Sequence, residues 1–278
     1  MEEREFETIL FSREDQRARI TLNRPEIHNA FNSRMISEID RVLDLVREDK
    51  SVRVLIITGK GKSFCAGADI HWLRDIINYT YEENYRESLH LAEILHKLYS
   101  LPKPSVAAVN GPAIGGGNGL LSACDIVIAS EGAIFGLSEV KIGLVPAAIS
   151  PYVLKRIGEG NAREYFLTGK RITAEKAFEI GLVNRVVPHE KLEDEVDEIV
   201  KQLLSSGPEA MASCKELIFN VLRMDLEEAK EYTARVIANL RVSEEGQEGM
   251  SSFLEKRKPR WVKGKSKEKK KGKAAKKR

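Results

Sequence analysis

The stretch VNGPAIGGGNGLLSACD, residues 109–125, places Gly115, Gly116 and Gly117 in a row where an apolar run passes into a helical pattern. A glycine inside a helix costs about 0.8–1 kcal/mol relative to alanine, so three together need a reason. Two are available: a ligand approaches this backbone closely, or the helix that begins here packs tightly on a neighbour. The preceding PSVAAVNG (104–111) is almost wholly apolar, as expected of a strand covered on both faces. VRVLIITG (52–59) and DIVIAS (125–130) have the same character, and FETILF (6–11) and ARITLN (18–23) read as further strands.

Helical patterns lie between the strands. Residues 33–48, capped by Asn32 or Ser33, put Ile36, Ile39, Val42, Leu43 and Val46 on one face. Residues 81–100 do the same with Leu89, Leu91, Ile94, Leu95 and Leu98. Beyond about residue 150 the only strand-like run is NRVV, and helices are expected at 161–168, 173–180, 190–205, 208–222 and 225–243. The class is α/β: a core over 1–195, a helical C-terminal part over 196–261 and a disordered lysine-rich tail over 262–278.

Composition narrows the function classes. Of 278 residues 42% are hydrophobic and 31% charged, enough for a substantial core. The acidic opening MEEREFETIL lacks the basic start of a secretory leader, and no run approaches the roughly 20 apolar residues that span a bilayer. Cys65, Cys124 and Cys214 are odd in number and far apart, which suggests neither a disulfide framework nor a metal site. The expectation is a protein of a reducing compartment, cytoplasmic or in an organelle matrix, with no membrane partner. The net charge of +3 conceals an asymmetry: residues 256–278 hold fourteen Lys and Arg and one acid, Glu268. Such a segment reads as a solvated tail. Nucleic-acid binding through it is the non-enzymatic alternative, and it ranks below catalysis.

Two glycine-containing segments, GKGKSFCAGADI and GPAIGGGNG, each follow a buried-type strand, where ligands bind open α/β sheets. Nucleotide motifs fit poorly. A Walker loop would need glycine where Ile56 stands, and a dinucleotide fingerprint starting at Gly115 meets Leu120 where glycine or alanine belongs. A different chemistry suits them. If Ala68 and Gly116 aim their N–H groups at one point, they form an oxyanion hole, with Gly116 at a positive helix N-terminus.

SFCAGADI with AAVNGPAIGGG, then FGLSEVKIGLVP, then GMSSFLEKRKPRW, together with ITLNRPEIHNAFN near the start, resemble the crotonase (enoyl-CoA hydratase/isomerase) superfamily from about residue 8 to 261. The look is closest to the methylglutaconyl-CoA hydratase branch. The resemblance implies a spiral of ββα units with a helical trimerisation region, and a homotrimer or homohexamer acting on an acyl-CoA thioester. It implies no metal and no resident cofactor, CoA being part of the substrate. Residue by residue, it implies that the Ala68 and Gly116 amides bind the thioester oxygen and that Glu139 is the catalytic carboxylate. CoA would lie along His28 and Ala30 and along Ala66, Gly67, Asp69 and Ile70, with Ser138 and Lys256 also on the substrate.

Two departures from the family pattern bear on the reaction. Typical hydratases carry a second glutamate where this chain has Gly119, and AAISPY replaces a glycine-rich run after Pro146. The resemblance implies hydration of a 2-enoyl-CoA, such as 3-methylglutaconyl-CoA or a related branched ester, with Glu139 acting through one water; a double-bond shift by Glu139 alone is the alternative. Asn118, Ser138, Tyr79, Tyr81 and Tyr85 are candidates to assist it. If the acyl group carries a carboxylate, His71, Lys141 and Arg156 are candidate partners for it.

Overall fold

The computed structural model describes residues 6–262; the lysine-rich run 263–278, and with it the tail and its nucleic-acid alternative, lies outside them. The chain opens with a hairpin, β1 (Ile9–Glu14) and β2 (Arg17–Leu22), turning through Asp15 and Gln16, both at positive φ. Then follow α1 (Ser33–Glu48), β3 (Val54–Gly59), α2 (Ile70–Ile76), α3 (Tyr81–Tyr99), β4 (Ser105–Val109), β5 (Ala113–Ile114), α4 (Gly116–Ala123) and β6 (Ile126–Ser130). After β7 (Ile134–Gly136) come α5 (Ser150–Thr168), β8 (Arg171–Thr173), α6 (Ala174–Glu179) and β9 (Arg185–Val187). The chain continues through α7 (Leu192–Ser205), α8 (Pro208–Val221), α9 (Leu226–Val242) and α10 (Glu244–Leu254).

The strands form a six-stranded sheet, β1-β2-β3-β4-β6-β9, parallel from β2 onward, and a small sheet β5-β7-β8. Alternation along the central strands covers both faces. Val54, Ile56, Val106, Ala108 and Ile128 pack with Leu192, Val196, Ile199 and Val200 of α7. Leu55, Ile57, Ala107 and Val109 face the larger core with α1, α3 and α4. Each buried valine, leucine or isoleucine here contributes roughly 1.5–3 kcal/mol relative to exposure. The division expected at 195/196 falls inside α7, which is therefore one continuous cover on the sheet.

Helix α1 has the expected face, and Asn32 is its cap, accepting from Met35 N–H at 2.9 Å. Helix α3 differs: Ile94, Leu95 and Leu98 are buried, but its first half buries nothing and Leu89 is exposed. The first strand lies three residues later than 6–11. Glu7 and Thr8 donate their N–H groups to the buried Glu38 carboxylate at 2.9 Å each, which holds this segment against α1. The two- and three-residue strands of the small sheet, α2 and α10 were not expected from the pattern. Helix α5 starts well before 161 and is broken at Gly158 (φ 70°), which hid its first half. No helix among the described residues is long and apolar enough to cross a membrane.

Candidate active site

The two glycine segments lie side by side. Cys65 and Ala113 form a parallel bridge, as do Phe31 and Ala68, and Ile114 N–H donates to Cys65 O at 2.8 Å. Phe31 N–H donates to Gly67 O (2.7 Å) and Asp69 N–H to Phe31 O (2.8 Å). Ala68 sits between these two bonds, and its own N–H has no protein acceptor among the described residues. Gly116 opens α4, where N–H groups lack intrahelical partners; its N–H is equally free, whereas Gly115 N–H donates to Gly136 O at 2.8 Å. Two unpaired donors therefore stand at adjoining strand ends.

The three glycines have different reasons. Gly115 has φ 51° and ψ −122°, and a Cβ there would lie 3.2 Å from Glu139 Oε1. At Gly117 a Cβ would lie 2.8 Å from Cys65 O, so this glycine permits the packing of α4 on the first segment. Gly116 alone of the three lines the cavity. Ligand approach and tight packing both apply, at different positions.

Glu139 begins a 3-10 turn, Glu139–Ile142, after β7. Its Oε2 is buried without a hydrogen-bond partner. Burial, only partly opposed by its own backbone N–H, pushes this carboxyl above its ordinary value. Ala68, Gly116 and Glu139 line one cavity of about 340 Å³, whose walls include Phe31, Trp72 and Ile149. Larger concavities, about 520 Å³ between α1 and α3 and about 390 Å³ between α3 and α8, contain neither glycine segment.

The expected CoA segments are also brought together. Ala66 N–H donates to His28 O at 2.9 Å, and Arg24 donates from one guanidinium nitrogen to Ala30 O (2.8 Å) and from another to Asp69 (2.6 Å). His28 lies in the left-handed region with Nδ1 2.9 Å from Ser63 Oγ. Asp69 is buried, pairs with Arg24 and caps α2 through His71 N–H, so its carboxylate faces the protein. Burial raises its carboxyl, but the His71 N–H and the Arg24 guanidinium more than offset this and hold it below the ordinary value. Gly67 takes φ 91°, and Ile70 is exposed beside this segment. Ser138 precedes the Glu139 turn but lies outside the cavity lining. Lys256 follows α10, exposed and outside the lining as well.

None of the assisting groups lines the cavity. Asn118 is wholly buried, and its Nδ2 donates to Ala113 O and Gly136 O at 2.9 Å each, tying α4 to the small sheet. Tyr81 and Tyr85 are exposed and stack on each other on α3. The cationic candidates are elsewhere too: Arg156 is spent on Ser122 O, Cys124 O and Asp125 O, and neither His71 nor Lys141 reaches the lining. The sequence reading missed Glu87, which lines the cavity from α3. Its signal was the absence of apolar residues at 84, 87 and 88 on the inward face of an otherwise amphipathic helix.

The sequence profile of the Enoyl-CoA hydratase/isomerase family matches residues 13–265. A Thermus thermophilus protein, provisionally named an enoyl-CoA hydratase, is 40% identical over 244 residues, covering 87% of this chain and 96% of the relative. The crotonyl-CoA hydratase of Syntrophomonas wolfei is 36% identical over 260 residues, covering 92% and 98%. The crystal structure of an enoyl-CoA hydratase from Shewanella pealeana superposes with a TM-score of 0.91 at 37% identity, over 93% of this chain and 97% of that one.

Proposed function

Because the chain belongs to the enoyl-CoA hydratase/isomerase family, whose fold it has, we propose that it adds water to a 2-enoyl-CoA thioester to give the 3-hydroxyacyl-CoA. The observation that carries this reading is one cavity lined by two residues whose backbone N–H groups have no protein acceptor among the described residues, and by a carboxylate with an unpartnered oxygen. The thioester oxygen sits between the Ala68 and Gly116 amides. As a water oxygen bonds to C3, electrons move onto that oxygen, and two fixed donors stabilise the enolate charge. Losing one such donor typically costs about 2.7–4 kcal/mol of transition-state stabilisation. Glu139 takes the proton that water releases and returns a proton to C2, so water is consumed and the carboxylate is restored. Its raised proton affinity suits it to both steps. No resident cofactor is required.

A second reading is a double-bond isomerase, in which Glu139 moves one proton between carbons and no water is added. It is favoured by the absence of room for a glutamate at position 119. Incubation of a conjugated enoyl-CoA in H₂¹⁸O separates the two: hydration gives ¹⁸O-labelled 3-hydroxyacyl-CoA, and unlabelled enoyl isomers alone contradict it.

The same reading includes a homotrimer or homohexamer. Leu222, Leu226, Val242, Phe253 and Leu254 of the C-terminal helices and their connections are largely exposed, an apolar surface of the kind that subunits cover. Lys256, exposed next to Phe253 and Leu254 and outside the cavity lining, would serve CoA across a subunit boundary in such an assembly. The cytoplasm, or an organelle matrix, fits the compartment.

A further inference from the structure

One wall of the cavity comes from α3. Asn84, Glu87, Ser88 and Leu91 line it, at the i, i+3, i+4, i+7 spacing of one helix face. Glu87 accepts from Ser33 Oγ at 3.1 and 3.3 Å, at the N-terminus of α1, where the helix dipole favours negative charge. No cation pairs with Glu87 among the described residues. The lining contains two carboxylates, Glu87 and Glu139, and no Lys, Arg or His. Much of the remaining wall is apolar, with Trp72, Leu73, Ile76, Val145 and Ile149.

Resting on the acyl-CoA reading above, we infer that Glu87 makes the site selective for neutral acyl chains and excludes those ending in a carboxylate. An acyl carboxylate entering this cavity loses its hydration and meets like charge with no counter-ion. A neutral alkenyl chain meets the apolar wall instead. The inference goes against a methylglutaconyl-type substrate, because His71, Lys141 and Arg156 are all outside the lining.

The test compares pentanoyl-CoA with glutaryl-CoA, the ester of similar chain length that carries a terminal carboxylate. Binding to the full chain is measured by calorimetry for wild type, Glu87→Gln and Glu87→Lys. Expected are at least tenfold tighter binding of pentanoyl-CoA by wild type, a preference at least threefold smaller in Glu87→Gln and a reversed preference in Glu87→Lys. Equal wild-type affinities, or a preference unmoved in both variants, overturn the inference, as does binding of neither ester. Hydration of pent-2-enoyl-CoA is assayed in parallel. Hydration with an unmoved preference defeats only the role of Glu87; the expected preferences without hydration support that role and defeat the proposed reaction.

Discussion

Ile149 occupies the space that any side chain at Gly119 would need. A Cβ on Gly119 would lie 2.8 Å from Ile149 Cβ and closer still to its Cγ2, with Leu95 Cδ1 at 3.4 Å. The two departures from the family pattern, a glycine in place of a second glutamate and AAIS in place of a glycine-rich run, are thus one change seen from two sides. Ile149 belongs to the second and fills what the first vacates.

Gly119→Ala is therefore destabilising although alanine is the better helix former. Helix propensity offers about 1 kcal/mol, while overpacking a rigid core costs about 1–3 kcal/mol. Ile149→Ala in the same chain relieves part of the clash, so the two substitutions couple non-additively. Chemical unfolding of the two single variants and the double variant checks this; strictly additive effects contradict it.

Glu139 is destabilising in its ionised form. Its carboxyl is held above the ordinary value by burial, so the folded chain binds this proton more tightly than the unfolded one. That contribution favours folding at low pH and is lost as pH rises through the folded pKa. Glu139→Gln should accordingly unfold at higher temperature than wild type at pH 7–8, and the difference should shrink toward pH 4. A gain that grows on acidification contradicts the assignment.

Asp69 has the opposite sign. Its depressed carboxyl contributes stability above the ordinary aspartate range, and that contribution is lost as pH falls through the folded pKa. Asp69→Asn weakens the charged hydrogen bonds to Arg24 and to the start of α2, at about 1.5–3 kcal/mol. Because Asp69 adjoins Ala68, the variant should also lower kcat for enoyl-CoA turnover. Thermal unfolding at pH 7 and pH 4, with kcat at pH 7, checks both parts.

Most of the sheet and the place where the two glycine segments meet were legible in the sequence, because both depend on local signals. Continuous apolar runs such as 54–57 and 106–109 mark strands buried on both faces, and glycine runs at strand ends mark backbone that must stay bare. The strands β5, β7 and β8 are too short to carry a period; Gly136 O, accepting from both Gly115 N–H and Asn118 Nδ2, ties the end of β7 to the start of α4, and β8 pairs antiparallel with β7. Glu87 left only a weak signal for another reason. A carboxylate on a polar helix face reads as solvated unless one knows that the face closes a cavity.

The C-terminal apolar surface predicts self-association. Phe253→Asp places a charge on an exposed apolar residue in the last turn of α10, so it should shift the mass seen by light scattering from a trimer or hexamer toward a monomer. Wild type that is monomeric at working concentration contradicts the proposed assembly.

In the proposed reaction the Glu139 carboxylate moves the proton during hydration. The most direct measurement is kcat for hydration of but-2-enoyl-CoA by wild type and by Glu139→Gln, with acyl-CoA affinity measured alongside. The predicted result is a fall of roughly 10²–10⁴-fold in kcat. Turnover within threefold of wild type, a difference of only about 0.6 kcal/mol, would contradict it.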